Sequence, residues 1–169
     1  MFVESAVAEA VHTPSGEGKV IYVLGNEITV KIPSRVTGGA YTVFEGRTLP
    51  QHGPPLHRHR DQDEFWYILE GKFLFEVDGQ KIEAGPGDTV LAPRGSAHTF
   101  QNTGTTAGRM VATMIPGGID YFFEELETAA PRGAAPDFSK MPAIFEKYGQ
   151  EMLGPPLSAR AAMSASGAD

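Results

Sequence analysis

The sequence predicts an all-β fold, an antiparallel sandwich or barrel followed by short C-terminal helices. Three observations carry this expectation. Apolar and polar residues alternate in about ten short runs, the period of a half-buried strand. Turn-forming residues separate those runs: 20 Gly and 13 Pro in 169 positions are too many for a helical bundle. After Pro116-Gly117-Gly118 the apolar spacing changes from two to the three-and-four of a helix.

Residues 1–18 read as an N-terminal extension that ends in a loop, Thr13-Pro14-Ser15-Gly16-Glu17-Gly18. Residues 19–24 form a first strand, broken by Gly25-Asn26. Residues 27–32 form a second, with Ile28, Val30 and Ile32 on one face and Pro33 as its stop. Residues 41–49 alternate less cleanly, and 50–55 are a turn-rich link. Residues 64–70 are a strand closed by Gly71. Residues 72–77 place Phe73, Phe75 and Val77 opposite Lys72, Leu74 and Glu76. Asp78-Gly79 is a type I′ hairpin signal, because both central positions need positive φ. Runs at 80–83, 89–92, 97–101 and 109–115 complete a barrel expected over 19–116.

Ile119, Phe122, Phe123 and Leu126 recur at helical spacing, with Glu124, Glu125 and Glu127 as a solvated face. Residues 131–136 read as a loop, and 141–148 as a second helix capped by Gly149. The segment 117–157 is expected to pack on the barrel, and the Ala/Ser/Gly-rich 158–169 to form a flexible tail. Nothing in the chain repeats at 20–50 residues, and nothing marks a second domain.

Composition excludes several classes. Lys and Arg number 14 against 21 Asp and Glu, a net charge of −7, which disfavours nucleic acid and anionic membranes. With no cysteine there are no disulfides, thiolate metal sites or Cys nucleophiles. The first ten residues lack a signal-peptide pattern and no run is long enough to span a bilayer, so a cytoplasmic location is expected.

Five histidines remain: His12, His52, His57, His59 and His98. His12 and His52 lie in turn-like surroundings and read as surface residues. In His57-Arg58-His59 the two imidazoles stand at i and i+2, on one face of a strand. A tight turn through 60–63 would bring the Glu64 carboxylate back beside them, and His98, on a later strand, could close the set. Three neutral nitrogens and one hard oxygen suit a first-row divalent metal with open positions.

Here the chain resembles a known family. His57-x-His59-x4-Glu64-x6-Gly71 is similar to the first cupin motif. Gly87-x5-Pro93-x-Gly95-x2-His98-x3-Asn102 matches the second at every position, and fifteen residues separate the two. Gly-x5-Pro-x-Gly alone would arise by chance at roughly 2 in 10⁴ start sites. One departure stands out: the Gly expected six residues before His57 is Gln51, with Gly53 nearby. Within the family, Pro54-Pro55-Leu56-His57 and the segment from Tyr148 to Leu157 resemble single-domain bacterial cupins of quercetin 2,3-dioxygenase type.

The resemblance implies a double-stranded β-helix, the cupin jelly-roll barrel. It implies metal ligation by His57, His59, Glu64 and His98, one divalent transition metal (Fe, Mn, Ni, Co, Cu or Zn), and a homodimer. The implied activity is a mononuclear non-haem dioxygenase on a small aromatic or enolic, flavonol-like substrate, with Glu64 as catalytic base. An oxygen-independent isomerase, decarboxylase or lyase is one alternative, and a non-catalytic small-molecule binder another. Parity places Trp66 and Ile68 on the face of Glu64, and Phe100 on that of His98, making Trp66 and Phe100 the candidate substrate contacts. Phe65, Tyr67 and Leu69 point outward and need a cover, either the C-terminal helices or a second subunit.

Overall fold

A computed structural model describes residues 10–23, 26–132, 137 and 139–166. The expectations placed on 1–9, 24–25, 133–136 and 167–169 fall outside those residues.

Among the described residues ten strands precede the first α-helix: β1 Lys19–Val23, β2 Asn26–Ile32, β3 Thr42–Thr48, β4 Leu56–His59, β5 Asp63–Glu70, β6 Phe73–Val77, β7 Gln80–Ala84, β8 Thr89–Ala92, β9 Ala97–Asn102 and β10 Gly108–Ile115. Helices α1 Ile119–Ala129 and α2 Met141–Lys147 follow, then strand β11 Gln150–Gly154 and helix α3 Leu157–Ser166. All strand pairs are antiparallel and form two sheets, β1-β2-β3-β10-β5-β8 and β11-β4-β9-β6-β7. This is the double-stranded β-helix the two motifs imply. Between the sheets lie Trp66, Ile68, Phe73, Phe75, Met110, Ala112 and Met114, each at most 2% exposed. Full burial of side chains such as the Ile, Phe and Met residues among them contributes about 1.5–3 kcal/mol apiece.

Local chemistry explains the turns. Asp78 and Gly79 both take positive φ, 46° and 80°, as the I′ hairpin demands. Gln51, where the motif has glycine, takes φ 62° and makes the left-handed turn itself. Gly53 then passes so close to β9 that a Cβ there would stand 1.8 Å from the Phe100 carbonyl oxygen. Helix α1 buries Ile119, Phe122 and Leu126, as its periodicity predicts, and Gly149 follows α2 with φ 66°.

Three expectations change. Residues 158–166 are not a loose tail: α3 buries Leu157 and sends Arg160 to Glu76, 2.9 Å away. That contact also covers Glu76, which is buried although it lies on the face opposite Phe73 and Phe75. The acidic run on α1 is more than a solvated face. Glu124 pairs with Lys19 at 2.6 Å, Glu127 accepts the Tyr22 amide at 2.9 Å, and Glu125 takes Lys147 and the Tyr148 hydroxyl. Finally, the helices do not cover the outer face of β5. They pack on β1, β11 and β9, leaving Tyr67 and Leu91 44% and 57% exposed.

Candidate metal centre

His57 and His59 project from β4 toward the space between the sheets, and His98 sits directly opposite His57 on the neighbouring β9. Side chains of such opposed residues lie side by side. Glu64 comes from β5 in the facing sheet, so three imidazoles from one sheet meet one carboxylate from the other across the sandwich. One ligand atom from each of the four lies within 4.8 Å of every other. The Glu64 Oε2 is 3.2 Å from His59 Nε2 and 3.4 Å from His98 Nε2. The rings of His59 and His98 stack at 5.0 Å with an 11° tilt, and His57 lies 4.4 Å from His98. Glu64, His59 and His98 are buried and His57 is half-buried.

Backbone carbonyls fix two of the rings. His57 Nδ1 lies 2.8 Å from the Pro55 carbonyl and His98 Nδ1 3.0 Å from that of Ser96. A carbonyl can only accept, so each Nδ1 carries the proton and each Nε2 presents a lone pair to the centre. Metal-ligating histidines are held in this way.

Electrostatics keeps His57 and Glu64 in ligating form. Burial, then the imidazoles of His98 and His59, push His57 well below its ordinary pKa, so it is neutral at pH 7. Burial alone would raise Glu64. Without a cation, protons on the His59 and His98 edges outweigh it and hold the carboxyl below the usual carboxylate range; a bound cation takes the place of those protons when both Nε2 atoms are lone pairs.

Whether these residues fit a cation is answered by their unmet polar atoms. His59 Nε2 and His98 Nε2 are buried with no hydrogen-bond partner. Buried polar atoms are normally satisfied, and two unpartnered ring nitrogens beside one carboxylate are the kind of donor set that a divalent metal would satisfy. The four residues could therefore hold one.

Above the centre lies a cavity of about 140 Å³. Trp66 and Phe100, the expected substrate contacts, both stand in its wall, with Phe44, Met110 and Ala112 from the barrel. Its ceiling escaped the sequence reading: Ile119, Phe122, Phe123 and Leu126 of α1 and Phe145 of α2 close over the barrel mouth. Their helical period was visible, but not which surface they would meet. Gln150 of β11 also lines the cavity and was missed, since nothing in Gln-Glu-Met-Leu-Gly marks a strand. His12 and His52 are exposed and apart from the centre.

Comparison with known proteins agrees with this architecture. The model of the cupin domain family matches residues 44–114, which contain all four candidate ligands. Protein SchB of Streptomyces halstedii is 30% identical over 106 residues, covering 57% of this chain and 75% of that protein. The oxalate-binding protein of Thermotoga maritima is 28% identical over 117 residues, 59% of this chain and 97% of that protein. The quercetin 2,3-dioxygenase of Bacillus subtilis is 33% identical over 70 residues, 41% of this chain but only 20% of the enzyme. Among solved structures, KdgF from a Halomonas species superposes with a TM-score of 0.60 at 18% identity, over 67% of this chain and 99% of that one. No helix among the described residues is long and apolar enough to cross a membrane.

Proposed function

This chain belongs to the cupin superfamily, and we propose that it is a metal-dependent cupin enzyme, a mononuclear dioxygenase acting on a small aromatic or enolic substrate. The observation that carries the reading is the convergence of His57, His59, Glu64 and His98 on one point beneath an apolar cavity. A divalent ion held there supplies Lewis acidity and, with a redox-active metal, a route for O₂. Three neutral imidazoles and one carboxylate leave such a site with a charge of about +1, which favours an anionic, chelating ligand.

The cavity wall supports the rest. Its described residues include no Lys or Arg, so nothing there would pair a second carboxylate of a dianion, while Phe44, Trp66, Phe100 and Phe122 suit the body of a ring. An apolar cavity of about 150 Å³ takes up benzene. The volume here thus accommodates one ring, and a flavonol-like substrate needs part of the α1–α2 ceiling to shift. Glu64 is the sole carboxylate among those wall residues and is assigned the substrate's hydroxyl proton. As a ligand of the cation it would be of low basicity, and it would have to loosen from the ion to take that proton. Trp66 and Phe100 orient the ring and exclude water.

The test is aerobic turnover. The protein, loaded separately with Fe, Mn, Co and Ni, is screened on an oxygen electrode against flavonols and single-ring aromatic diols. Glu64→Gln is expected to keep the metal while losing turnover by about 10²–10⁴-fold. No turnover with any metal refutes the dioxygenase reading, and product formed without O₂ uptake replaces it with an isomerase, decarboxylase or lyase. A second reading, ligand capture without chemistry, is favoured by the near-complete coverage of the oxalate-binding relative. It calls for saturable binding with no product. In either case we propose a small-molecule partner, no nucleic acid or membrane, a cytoplasmic location, and a homodimer. The second copy would cover the outer face around Tyr67 and Leu91.

A further inference from the structure

Each of two ligand histidines has a backbone carbonyl on its Nδ1, but the third does not: His59 Nδ1 is buried and unpartnered. An unpartnered acceptor belongs to the residue paired with it on the next strand. Gln150 on β11 is the registered partner of His59 on β4, so the two side chains share a face, and Gln150 is 2% exposed with its Oε1 buried and unbonded.

The polarity of that amide has one solution. Gln62 Nε2 donates to the carbonyls of Pro116 and Gly117, at 3.0 and 3.1 Å, so its Oε1 must point the other way. There it receives Gln150 Nε2 at 3.2 Å, which also reaches the Tyr148 carbonyl at 3.3 Å. Carbonyls at both ends of this relay accept only, so neither amide can flip without setting oxygen against oxygen. Gln150 therefore offers an acceptor on the face of His59. That oxygen has no solvent-accessible surface to offer a ligand in the cavity, whereas the neighbouring imidazole lacks an acceptor.

We infer that Gln150 is the positioning residue of His59: its Oε1 accepts the His59 Nδ1–H and so commits Nε2 to the metal. The inference rests on the metal reading above and assigns β11 the task that the Pro55 and Ser96 carbonyls perform for the other two rings.

The test uses the full chain loaded with Zn(II) and ¹⁵N NMR of the imidazoles. The expected result is Nδ1 protonation of His57, His59 and His98, with a slowly exchanging His59 Nδ1–H that shows a nuclear Overhauser effect to the Gln150 side chain. In Gln150→Leu that one proton is expected to exchange rapidly while those of His57 and His98 persist. Zn(II) affinity, read by chelator competition, should weaken about 10–100-fold. The wild-type spectrum decides the matter alone if the variant does not fold. Zn(II) bound through His59 Nδ1, or a His59 Nδ1–H with no contact to Gln150, overturns the inference and leaves the metal reading standing. A chain that binds no Zn(II) overturns both.

Discussion

Gly53 is the position at which one added carbon should do the most damage per atom. A Cβ there would meet the Phe100 carbonyl oxygen at 1.8 Å and its carbon at 2.8 Å, where real contacts essentially never fall under 3.0 Å. Both obstacles are backbone, so no side-chain rotation relieves them; the 51–53 segment must draw back from β9 by more than about 1 Å. Two hydrogen bonds join those strands at this point, Gln51 N–H to the Asn102 carbonyl at 2.8 Å and Asn102 N–H to that of His52 at 2.9 Å. Losing them costs about 0.5–1.5 kcal/mol each, and the overpacking about 1–3. Gly53→Ala should thus destabilise by about 2–6 kcal/mol, and lower Tm by roughly 4–24 °C for a chain of this size. Because His57 and His59 follow on the same segment, metal affinity should fall with it. Gln51→Gly is the control. Relief of the left-handed strain, about 1–2 kcal/mol, is offset by glycine's freedom when unfolded and by the lost Gln51–Gln101 bond, so near-neutrality is expected. Calorimetry reads both. A Gly53→Ala protein melting within about 2 °C of wild type with its metal retained would refute the steric argument.

Three further outcomes are expected. His98→Ala should weaken metal binding at least about 100-fold, beyond the range for outer contacts; full occupancy by elemental analysis after dialysis removes His98 from the site. His57 has a depressed pKa when folded, so below its ordinary value of 6.5 the unfolded chain binds the extra proton. Stability of the metal-free protein should then be present above about pH 6.5 and decline as pH falls, with metal leaving below about pH 6; metal content unchanged at about pH 4.5 contradicts His ligation. Leu91→Asp, on the exposed outer face of β8, should preserve the melting curve and convert a dimer to a monomer in sedimentation velocity. A dimer indifferent to this change assigns the interface elsewhere.

The candidate ligands and most strands could be read from local sequence because their signals are local. Alternation sets a strand's faces, and His57, His59 and Glu64 lie within eight positions of one another. What escaped depends on distant partners. β11 is a strand because β4 offers it an edge, with Gln150 paired to His59 ninety-one positions earlier in the chain. Glu76 is buried because Arg160 reaches it from α3. The apolar stripe of α1 was plain, yet Ile119 and Leu126 would look the same packed on an outer sheet face as they do roofing a cavity.

That roof divides the labour along the chain. The segment shared with the family, 44–114, carries every candidate ligand, whereas the aromatic ceiling belongs to residues beyond it. On the proposed reading, one stretch of polypeptide supplies the candidate ligands and the side walls of the cavity, and another supplies most of its ceiling. Exchanging the appended helices between relatives should transplant a preference for one guest molecule over another while the inorganic chemistry beneath stays untouched.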